Sequence, residues 1–276
     1  MTYAAVRSER NDSLLAWFAT NSRDLPWRRD TDPYPVLVSE VMLHQTQVGR
    51  VIGKFEEFLA CWPTVEDLAR APTEELLGVW SGLGYNNRAL RLRDAARSIA
   101  SDGWPDSIEG LRGLPGVGPY TAAALRSISF GDDVAAIDTN LRRVLSRWAG
   151  EPLSGSALES YAYEAIGSPA GDWNQALMDL GSQLCTPKDP ACDACPVSEW
   201  CLDPAVYEPP RRQPRFQGSH RELRGAVLRA HLAGYDLFEA GRALGRSEDE
   251  IERAVRALHT EGLIATSRPP QRADRT

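Results

Sequence analysis

Four cysteines lie close together in the sequence with the spacing C-x6-C-x2-C-x5-C: Cys185, Cys192, Cys195 and Cys201. Clustered thiolates of this kind can hold a tetrahedral zinc ion or a cubane iron–sulfur cluster, because both need anionic sulfur ligands that one loop brings close. An all-cysteine zinc site normally has two separated C-x2-C pairs, whereas this segment has a single close pair. The spacing therefore favours an iron–sulfur cluster over zinc, and either metal site over a disulfide framework.

Two acidic residues have apolar neighbours and lie far apart in the sequence. Glu40 lies in a predicted helix beside Val38 and Val41, and Asp138 follows the small apolar run 135–137. A glutamate in a pocket would have a raised pKa and could act as a general acid, whereas on a solvated face it would not. From its spacing alone, Asp138 is an N-cap. If the two carboxyl groups converged on one cleft, they would suit cleavage of a glycosidic bond.

A glycine-rich turn is predicted within the segment 114–122, LPGVGPYTA, between a helix at Ser107–Arg112 and the helix that follows. Gly116 and Gly118 allow a tight turn around Val117, with the backbone amides facing outward. Amide donors and the positive end of a helix dipole can bind a phosphate of a nucleic acid without any lysine. The alternative is an ordinary turn between two helices.

The overall charge restricts how such a chain could bind a nucleic acid. It has 31 basic and 38 acidic residues, a formal net charge of −7. Residues 1–210 carry a net −11 and residues 211–276 a net +4, and only Lys54 and Lys188 are lysines. The broad basic stripe that is typical of DNA-binding proteins is weak here. Binding to DNA would depend on backbone amides, helix ends and a few arginines.

Composition also bears on the cellular compartment. Five cysteines in 276 residues are few, and Cys61, which lies outside the cluster, is predicted to be a small buried hydrophobe. The first residues, MTYAAVRSERND, lack the apolar core of a signal peptide. No uncharged run reaches the roughly 18 residues that a membrane span needs. We therefore expect a cytoplasmic protein with no membrane partner.

Apolar residues recur with helical spacing along almost the whole chain, for example from Leu68 to Trp80 and from Leu90 to Ile99, which predicts an all-α protein. A proline-rich linker at residues 206–217 would separate a main domain, 1–205, from a small module, 218–276.

Helix-start signals divide that small module into short helices. Asp236 with Glu239 and Ser247 with Glu250 have the spacing of capping boxes. With a short strand at Leu263–Ala265, three helices would resemble a winged helix, a fold that places a helix in the DNA major groove. The alternative is a small helical bundle used for packing or dimerisation.

Seven segments, taken together and in order, resemble the helix-hairpin-helix (HhH-GPD) DNA glycosylases with an iron–sulfur cluster, above all the adenine glycosylases of the MutY type. The segments are LPWR at 25–28, SEVMLHQTQV at 39–48, GLGYNNRA at 82–89, LPGVGPYTA at 114–122, AIDTN at 136–140, NQALMDLG at 174–181 and the four cysteines. The resemblance covers residues 10–205. It implies a two-lobed helical fold whose four cysteines hold a 4Fe-4S cluster.

Catalytic roles follow from the resemblance by position. Glu40 matches the general acid that protonates the adenine ring and positions water, and Asp138 matches the carboxylate that stabilises the sugar cation or bonds to it transiently. Tyr120 stands where bifunctional relatives carry a Schiff-base lysine, so no lyase activity of that kind is implied. Tyr120 and Asn140 would form hydrogen bonds around the catalytic carboxylate.

The resemblance also implies residues that contact DNA. Arg28 and Asp179 match the edge of the adenine pocket, and Lys188 lies in the cysteine loop that would dock on the DNA backbone. Gln45 and Tyr85 match the pair that wedges into the base stack when the target nucleotide is flipped out, which chemistry on a stacked base requires.

The chain departs from the family pattern at several places. His44 replaces a usual glutamine, Asn86 a frequent tyrosine and Thr139 a usual glycine. MutY enzymes typically end in a Nudix-like domain that recognises 8-oxoguanine, and residues 218–276 are too short and too helical for that domain.

We therefore expect a monomeric, monofunctional DNA glycosylase that excises adenine from A:G or A:8-oxoguanine mispairs in double-stranded DNA, in a bacterial-type cytoplasm at the nucleoid. One alternative is a thymine or uracil mismatch glycosylase of the same fold. Glu40 favours adenine, because a purine leaving group gains most from ring protonation. Another is an iron–sulfur DNA-binding regulator without enzymatic activity, against which the intact Glu40 and Asp138 argue.

Overall fold

The computed structural model describes residues 3–206 and 215–264. Within these ranges the chain forms fourteen α-helices and three short 3₁₀ turns, with no strand, which confirms the all-α prediction. None of the helices in these ranges combines the length and the apolar character that crossing a membrane requires.

The helices, in chain order, are α1 (Tyr3–Asn21), α2 (Pro33–Leu43), α3 (Val48–Cys61), α4 (Val65–Ala69), α5 (Thr73–Trp80), α6 (Asn87–Asp102), α7 (Ile108–Gly113), α8 (Pro119–Ser129), α9 (Thr139–Ala149), α10 (Gly155–Ala165), α11 (Ala170–Gln183), α12 (His220–Leu232), α13 (Leu237–Arg242) and α14 (Glu248–Thr260). They form two compact units. Of the described residues, the first unit comprises 3–44 and 98–206, and the second comprises 45–97 and 215–264.

Helix α11 is central to the first unit and packs against α1, α8 and α9, while α2 packs against α8. The core around α11 is built from large buried side chains, among them Leu14, Trp148, Trp173 and Leu177. Burial of these apolar surfaces supplies most of the driving force for folding. The packing fixes α2, α8, α9 and α11 relative to one another, and these helices carry the candidate site.

In the second unit α12 packs against α13, α14 and α5, so the C-terminal module shares a compact unit with residues 45–97. The predicted helix starts are confirmed: Asp236 accepts hydrogen bonds from the Phe238 and Glu239 amides, and Ser247 forms a capping box with Glu250. Leu263 and Ile264 are buried and not part of a strand. Ala265 and the linker residues 207–214 lie outside the described residues, so the wing and the linker stay predictions.

One burial prediction is wrong. Cys61 is exposed, although it ends a helix whose inner face carries the buried residues Val51, Phe55 and Phe58. The helix ends at Cys61, and the next residue, Trp62, turns inward instead. The Trp62 ring packs edge-on against the Phe58 ring with their centroids 4.9 Å apart. The larger aromatic surface thus takes the buried place at this helix end.

Candidate active site

Glu40 is a buried carboxyl group on α2. The helix begins at a proline, is capped by Asp32, and has apolar residues on all sides, so that only 6% of Glu40 is exposed. Its Oε2 atom is buried with no hydrogen-bond partner among the described residues. The net pKa of Glu40 is raised from 4.5 to about 7. Burial is the main cause and the Asp138 charge adds to it, whereas a hydrogen bond from Tyr120 and the charge of Arg28 lower the pKa. A substantial fraction of Glu40 carboxyl groups therefore carries a proton near neutral pH.

Asp138 is both the N-cap of α9 and part of the same cluster. Its Oδ1 accepts hydrogen bonds from the amides of Asn140 (2.8 Å) and Leu141 (2.7 Å), as an N-cap requires. Its Oδ2 accepts a hydrogen bond from Nδ2 of Asn140 at 2.8 Å. Burial raises the pKa of Asp138, and the hydrogen bonds from Leu141 and Asn140 lower it less than burial raises it. The cap prediction is confirmed, and the cap fixes the orientation of the carboxylate.

Tyr120 lies near both acids. Burial, with the nearby charges of Glu40 and Asp138, raises the pKa of Tyr120 well above its ordinary value of 10. The hydroxyl lies 3.8 Å from Sδ of Met178 and also interacts with Glu40. Tyr120 therefore stays neutral beside the two acids, and the structure brings the buried Glu40 together with the partly buried Asp138 and Tyr120.

Arg28 and Asp179 form a buried bidentate ion pair. Nη1 and Nη2 of Arg28 donate to Oδ2 and Oδ1 of Asp179 at 2.7 and 2.9 Å. Arg23 adds hydrogen bonds to the same carboxylate from its Nε (2.7 Å) and its amide (3.1 Å). Burial raises the pKa of Asp179, but the hydrogen bonds and charge of Arg28 and the hydrogen bonds of Arg23 outweigh it, and the net pKa is lowered. Asp179 is thus an anion that holds Arg28 in place.

Asn174 fixes the loop that leads to Asp138, a role that the sequence analysis missed. Its Oδ1 accepts a hydrogen bond from the amide of Ala136 (2.9 Å), and its Nδ2 donates to the carbonyl of Val134 (2.9 Å) and to Oγ of Ser127 (3.0 Å). The described partners of the Asn174 side-chain amide are all buried or partly buried. These hydrogen bonds therefore strongly favour one conformation of the loop that leads to Asp138. In the sequence, the available indication of this role was a single amide side chain, Asn174, within the buried face of α11.

His44, which follows the last residue of α2, replaces a usual glutamine of the family and contacts α8. His44 ends α2, and its Nε2 lies 3.2 Å from Oγ1 of Thr121, a fully buried residue of α8. The His44 ring is 6.2 Å from the Tyr120 ring. His44 therefore joins α2 to α8 directly beside Tyr120.

The glycine turn between α7 and α8 has the predicted form. Ser107 caps α7, Gly116 has a φ of 80°, and Gly118 is the N-cap of α8. The amide of Val117 donates to the carbonyl of Leu114 at 3.2 Å, and the Val117 side chain is buried. Contrary to the expectation that all three amides face outward, the amide of Val117 closes the turn. Gly116 and Gly118 remain the candidates for phosphate binding.

The four cysteines of the 185–201 loop line one cavity of about 70 Å³ together with Arg147. None of the four forms a disulfide in the structure. Burial is the main cause that raises the pKa of Cys201 to about 11, and the charges of the three neighbouring cysteines add to it. Among the described residues no three His, Cys, Asp or Glu side chains converge tightly enough for a single metal ion. Four sulfur donors around a common cavity fit a larger iron–sulfur cluster.

Arginines on α9 contact this loop and were not identified from the sequence. Nη1 of Arg147 lies 2.9 Å from Sγ of Cys185 and 2.9 Å from the carbonyl of Thr186. Nε of Arg143 donates to the carbonyl of Cys185 at 2.8 Å. Their i,i+4 spacing, which places both on one helix face, was the available signal. Lys188 is exposed in the same loop.

In the second unit Gln45 and Tyr85 have left-handed backbones, with φ of 57° and 47°. Such conformations are uncommon for side chains of this size and concentrate at functional sites. Arg88 connects the segment around Gln45 with the segment around Tyr85. Its Nη2 donates to Oγ1 of Thr46 (3.1 Å) and to the carbonyl of Leu83 (3.1 Å). Gln45 and Tyr85 are both exposed, and Arg88 is a further residue that the sequence analysis missed.

Comparisons with known proteins agree with this geometry. A family model described as HhH-GPD superfamily base excision DNA repair protein matches residues 38–159, which include Glu40, Tyr120 and Asp138. The chain belongs to this HhH-GPD superfamily. The iron–sulfur binding domain of endonuclease III matches residues 185–201, which confirms the prediction of a 4Fe-4S motif over a zinc site.

Several sequences similar to this chain are named adenine DNA glycosylases. The relative from Mycobacterium tuberculosis is 39% identical over 271 residues, covering 91% of this chain and 89% of that protein. The human relative is 43% identical over 209 residues, and the match spans 68% of this chain but only 38% of the human protein. The predicted resemblance to adenine glycosylases is confirmed.

Solved structures of the superfamily share the fold. A thermostable thymine-DNA glycosylase is 32% identical with a TM-score of 0.67, and the match covers 72% of this chain and 96% of that one. Endonuclease III in a non-covalent DNA complex is 23% identical with a TM-score of 0.61, covering 74% and 97%. The predicted helix-hairpin-helix glycosylase fold is confirmed.

Proposed function

We propose that the chain is a monofunctional DNA glycosylase that hydrolyses the bond between adenine and deoxyribose in A:G or A:8-oxoguanine mispairs, as a step of base excision repair. The observation that carries the proposal is the buried Glu40 carboxyl group, whose Oε2 has no hydrogen-bond partner among the described residues. A proton held there at neutral pH can be passed to a ring nitrogen of a purine, which makes the base a better leaving group.

Asp138 would stabilise the positive charge that develops on the sugar. Its orientation is set by two backbone amides and by Nδ2 of Asn140, so it needs no rearrangement as the charge forms. Two carboxyl groups with different roles, an acid and an anion, are the usual arrangement for cleavage of a glycosidic bond. Tyr120 remains neutral and cannot form a Schiff base, so the reaction would end at hydrolysis without strand cleavage.

The same proposal assigns the residues that would bind double-stranded DNA. The amides of Gly116 and Gly118 at the start of α8 would contact a phosphate, and Lys188 would contact the backbone from the cysteine loop. Arg28, held by Asp179, would border the adenine pocket. Gln45 and Tyr85 would fill the base stack after the nucleotide flips out.

Cys185, Cys192, Cys195 and Cys201 would hold the 4Fe-4S cluster, which would keep the 185–201 loop folded. We further propose that the protein acts as a monomer at the bacterial nucleoid.

A thymine or uracil mismatch glycosylase is the second candidate, because a thymine-DNA glycosylase is among the similar structures. Base release from duplexes that carry A, T, U or C opposite G and opposite 8-oxoguanine separates the two. We expect release of adenine by the wild type and its loss in Glu40→Gln. Release of thymine or uracil alone would support the second candidate.

A regulator without enzymatic activity would release no base from any duplex. Asp138→Asn tests the role of the carboxylate directly, because asparagine can still cap α9 and the fold should persist. We expect this variant to bind DNA without releasing a base, and undiminished release would refute the assigned role.

A further inference from the structure

A groove of about 720 Å³ lies within the second unit, between the C-terminal module and the segment from Gln45 to Arg91. Six arginines line it: Arg50, Arg88, Arg91, Arg221, Arg224 and Arg229. Among the described residues no aspartate or glutamate lines the groove. In a chain with a net charge of −7, this is a local concentration of positive charge that the sequence did not reveal. Such a surface attracts an anionic ligand.

One of the six arginines secures the module within the unit. Nη1 and Nη2 of Arg224 donate to the two carboxylate oxygens of Glu261 at 2.8 and 2.6 Å, and Nδ2 of Asn87 donates to Oε2 of the same residue at 2.6 Å. A bidentate pair of this kind has a defined geometry. Glu261 therefore joins α12, the end of α14 and the start of α6.

Three other arginines are available to a ligand. Arg50, Arg91 and Arg229 are exposed, and within residues 3–206 and 215–264 their side chains form no hydrogen bond or ion pair. Arg50 and Arg91 belong to α3 and α6, whereas Arg229 belongs to α12. The open guanidinium groups thus come from both walls of the groove.

The groove also contains the two residues with left-handed backbones, Gln45 and Tyr85. The module contacts one of them directly, because Nη1 of Arg221 donates to the Tyr85 hydroxyl at 3.3 Å. Tyr85 and Phe216 both line the groove with exposed rings, 43% and 57% accessible. Exposed aromatic rings beside guanidinium groups are suited to a nucleic acid, because bases stack on the rings while the arginines bind phosphates.

We propose that this arginine groove binds the phosphate backbone of a DNA duplex beside Gln45 and Tyr85, so that the C-terminal module is a DNA-binding element. The inference rests on the proposed function, since that function places Gln45 and Tyr85 in the base stack. The planar guanidinium fork matches a phosphate in two hydrogen bonds, which a lysine does not. This accounts for DNA binding by an acidic chain with two lysines.

The test is the salt dependence of binding to a fully paired duplex, which the enzyme does not cleave. The full-length protein loaded with its cluster is compared with Arg91→Gln, Arg229→Gln and the double variant, by fluorescence anisotropy across a series of NaCl concentrations. Each lost phosphate contact should flatten the slope of log K against log salt by about 1 and weaken binding roughly fivefold to tenfold near 0.1 M salt. The double variant should lose about 2 from the slope.

Arg253→Gln is the matched control, because Arg253 is an exposed arginine of the same module that does not line the groove. We expect wild-type affinity and slope for this control. Wild-type slopes in Arg91→Gln and Arg229→Gln, or an equal loss in Arg253→Gln, would overturn the proposal. A loss confined to duplexes with 8-oxoguanine opposite adenine would also overturn it, because the groove would then recognise a base and not the backbone.

The base-release and salt-dependence experiments together distinguish an error in the proposed function from an error in the groove inference. If the wild type releases no base from any mispair but the two arginine substitutions still flatten the slope, the groove binds DNA and the assigned reaction is wrong. If adenine is released and the slopes do not change, the groove inference alone is wrong.

Discussion

Arg143 holds the side-chain amide of Asn140, with its Nη2 donating to Oδ1 of Asn140 at 2.9 Å. Asn140 in turn donates from Nδ2 to Oδ2 of Asp138 at 2.8 Å, and Nε of Arg143 donates to the carbonyl of Cys185 at 2.8 Å. A continuous series of hydrogen bonds therefore runs from the first cysteine of the loop to the carboxylate assigned to catalysis. Networks of this kind fix the orientation of a functional group more strongly than separate pairs do.

Replacement of Arg143 should affect both ends of that series. Arg143→Ala leaves Asn140 and the Cys185 carbonyl without their donor, so we expect adenine release to fall roughly tenfold to a hundredfold. The visible absorbance of the cluster per mole of protein should fall as well. Single-turnover kinetics and absorbance spectra measure the two effects, with Arg253→Ala as the control. Wild-type values for both in Arg143→Ala would show that the hydrogen bonds do not connect loop and site.

Gly181 allows α11 to approach Asn140 closely. A Cβ atom at this position would lie 2.7 Å from Cβ of Asn140 and 3.2 Å from its Cγ, closer than such atoms can pack. Gly181→Ala should therefore displace Asn140 and slow base release at saturating protein by tenfold or more, estimated from the cost of misplaced catalytic groups. Gly78→Ala on α5, where a Cβ meets nothing within 4 Å, is the control. Equal rates in the two variants would contradict the predicted displacement.

The rate should depend on pH through Glu40. Its pKa is raised to about 7 by burial, so the fraction that carries a proton falls as pH rises through that value. If Glu40 is the acid, single-turnover release of adenine should decline tenfold for each pH unit above about 7. A rate that stays constant between pH 7 and pH 9 would exclude Glu40 as the proton donor.

The same raised pKa predicts an effect on stability. The folded state holds the Glu40 proton more tightly than the unfolded state does, so this stabilising contribution is present below pH 4.5 and is lost as pH rises to about 7. Above that pH the buried charge costs about 3 kcal/mol. Glu40→Gln should thus gain about that much free energy of unfolding, relative to wild type, between pH 4 and pH 8. Denaturant titrations measure it, and the exposed Glu56→Gln should show no such gain.

Asn174 supports a prediction about folding. Asn174→Ala removes the partners of the Ala136 amide and the Val134 carbonyl next to the Asp138 loop. Each buried group left without a partner costs about 1–3 kcal/mol, so unfolding should become easier by about 2–5 kcal/mol. Chemical denaturation measures the change, and Gln175→Ala on the same helix is the control. A difference below about 1 kcal/mol would show that the loop finds other partners.

The sequence predicted those parts of the site that depend on local pattern. Asp138 has the spacing of an N-cap, and the apolar neighbours of Glu40 suggested a pocket, because both properties are set within a few residues. The connections of Arg143 to the Cys185 carbonyl and of Asn174 to the Ala136 amide could not be assigned in the same way, since each joins residues about 40 positions apart in the chain. Cys61 was misjudged because periodicity does not show where a helix stops.

The groove arginines illustrate the same limit at larger scale. Arg50 and Arg229 are separated by most of the chain, and their positive charges add up only after α12 has packed in the second unit. A count of lysines and arginines along the sequence cannot detect such a surface. It is specified by the fold and not by any continuous segment.

The hydrogen bond between Asn87 and Glu261 has a practical consequence for anyone who shortens the gene. The proline-rich stretch near residue 206 looks like a natural place to truncate, yet a fragment that stops there would lack the helix that covers α5. The apolar surface of α5 that α12 covers would then be exposed and would promote aggregation. An aggregating fragment would say little about the chemistry of the intact enzyme.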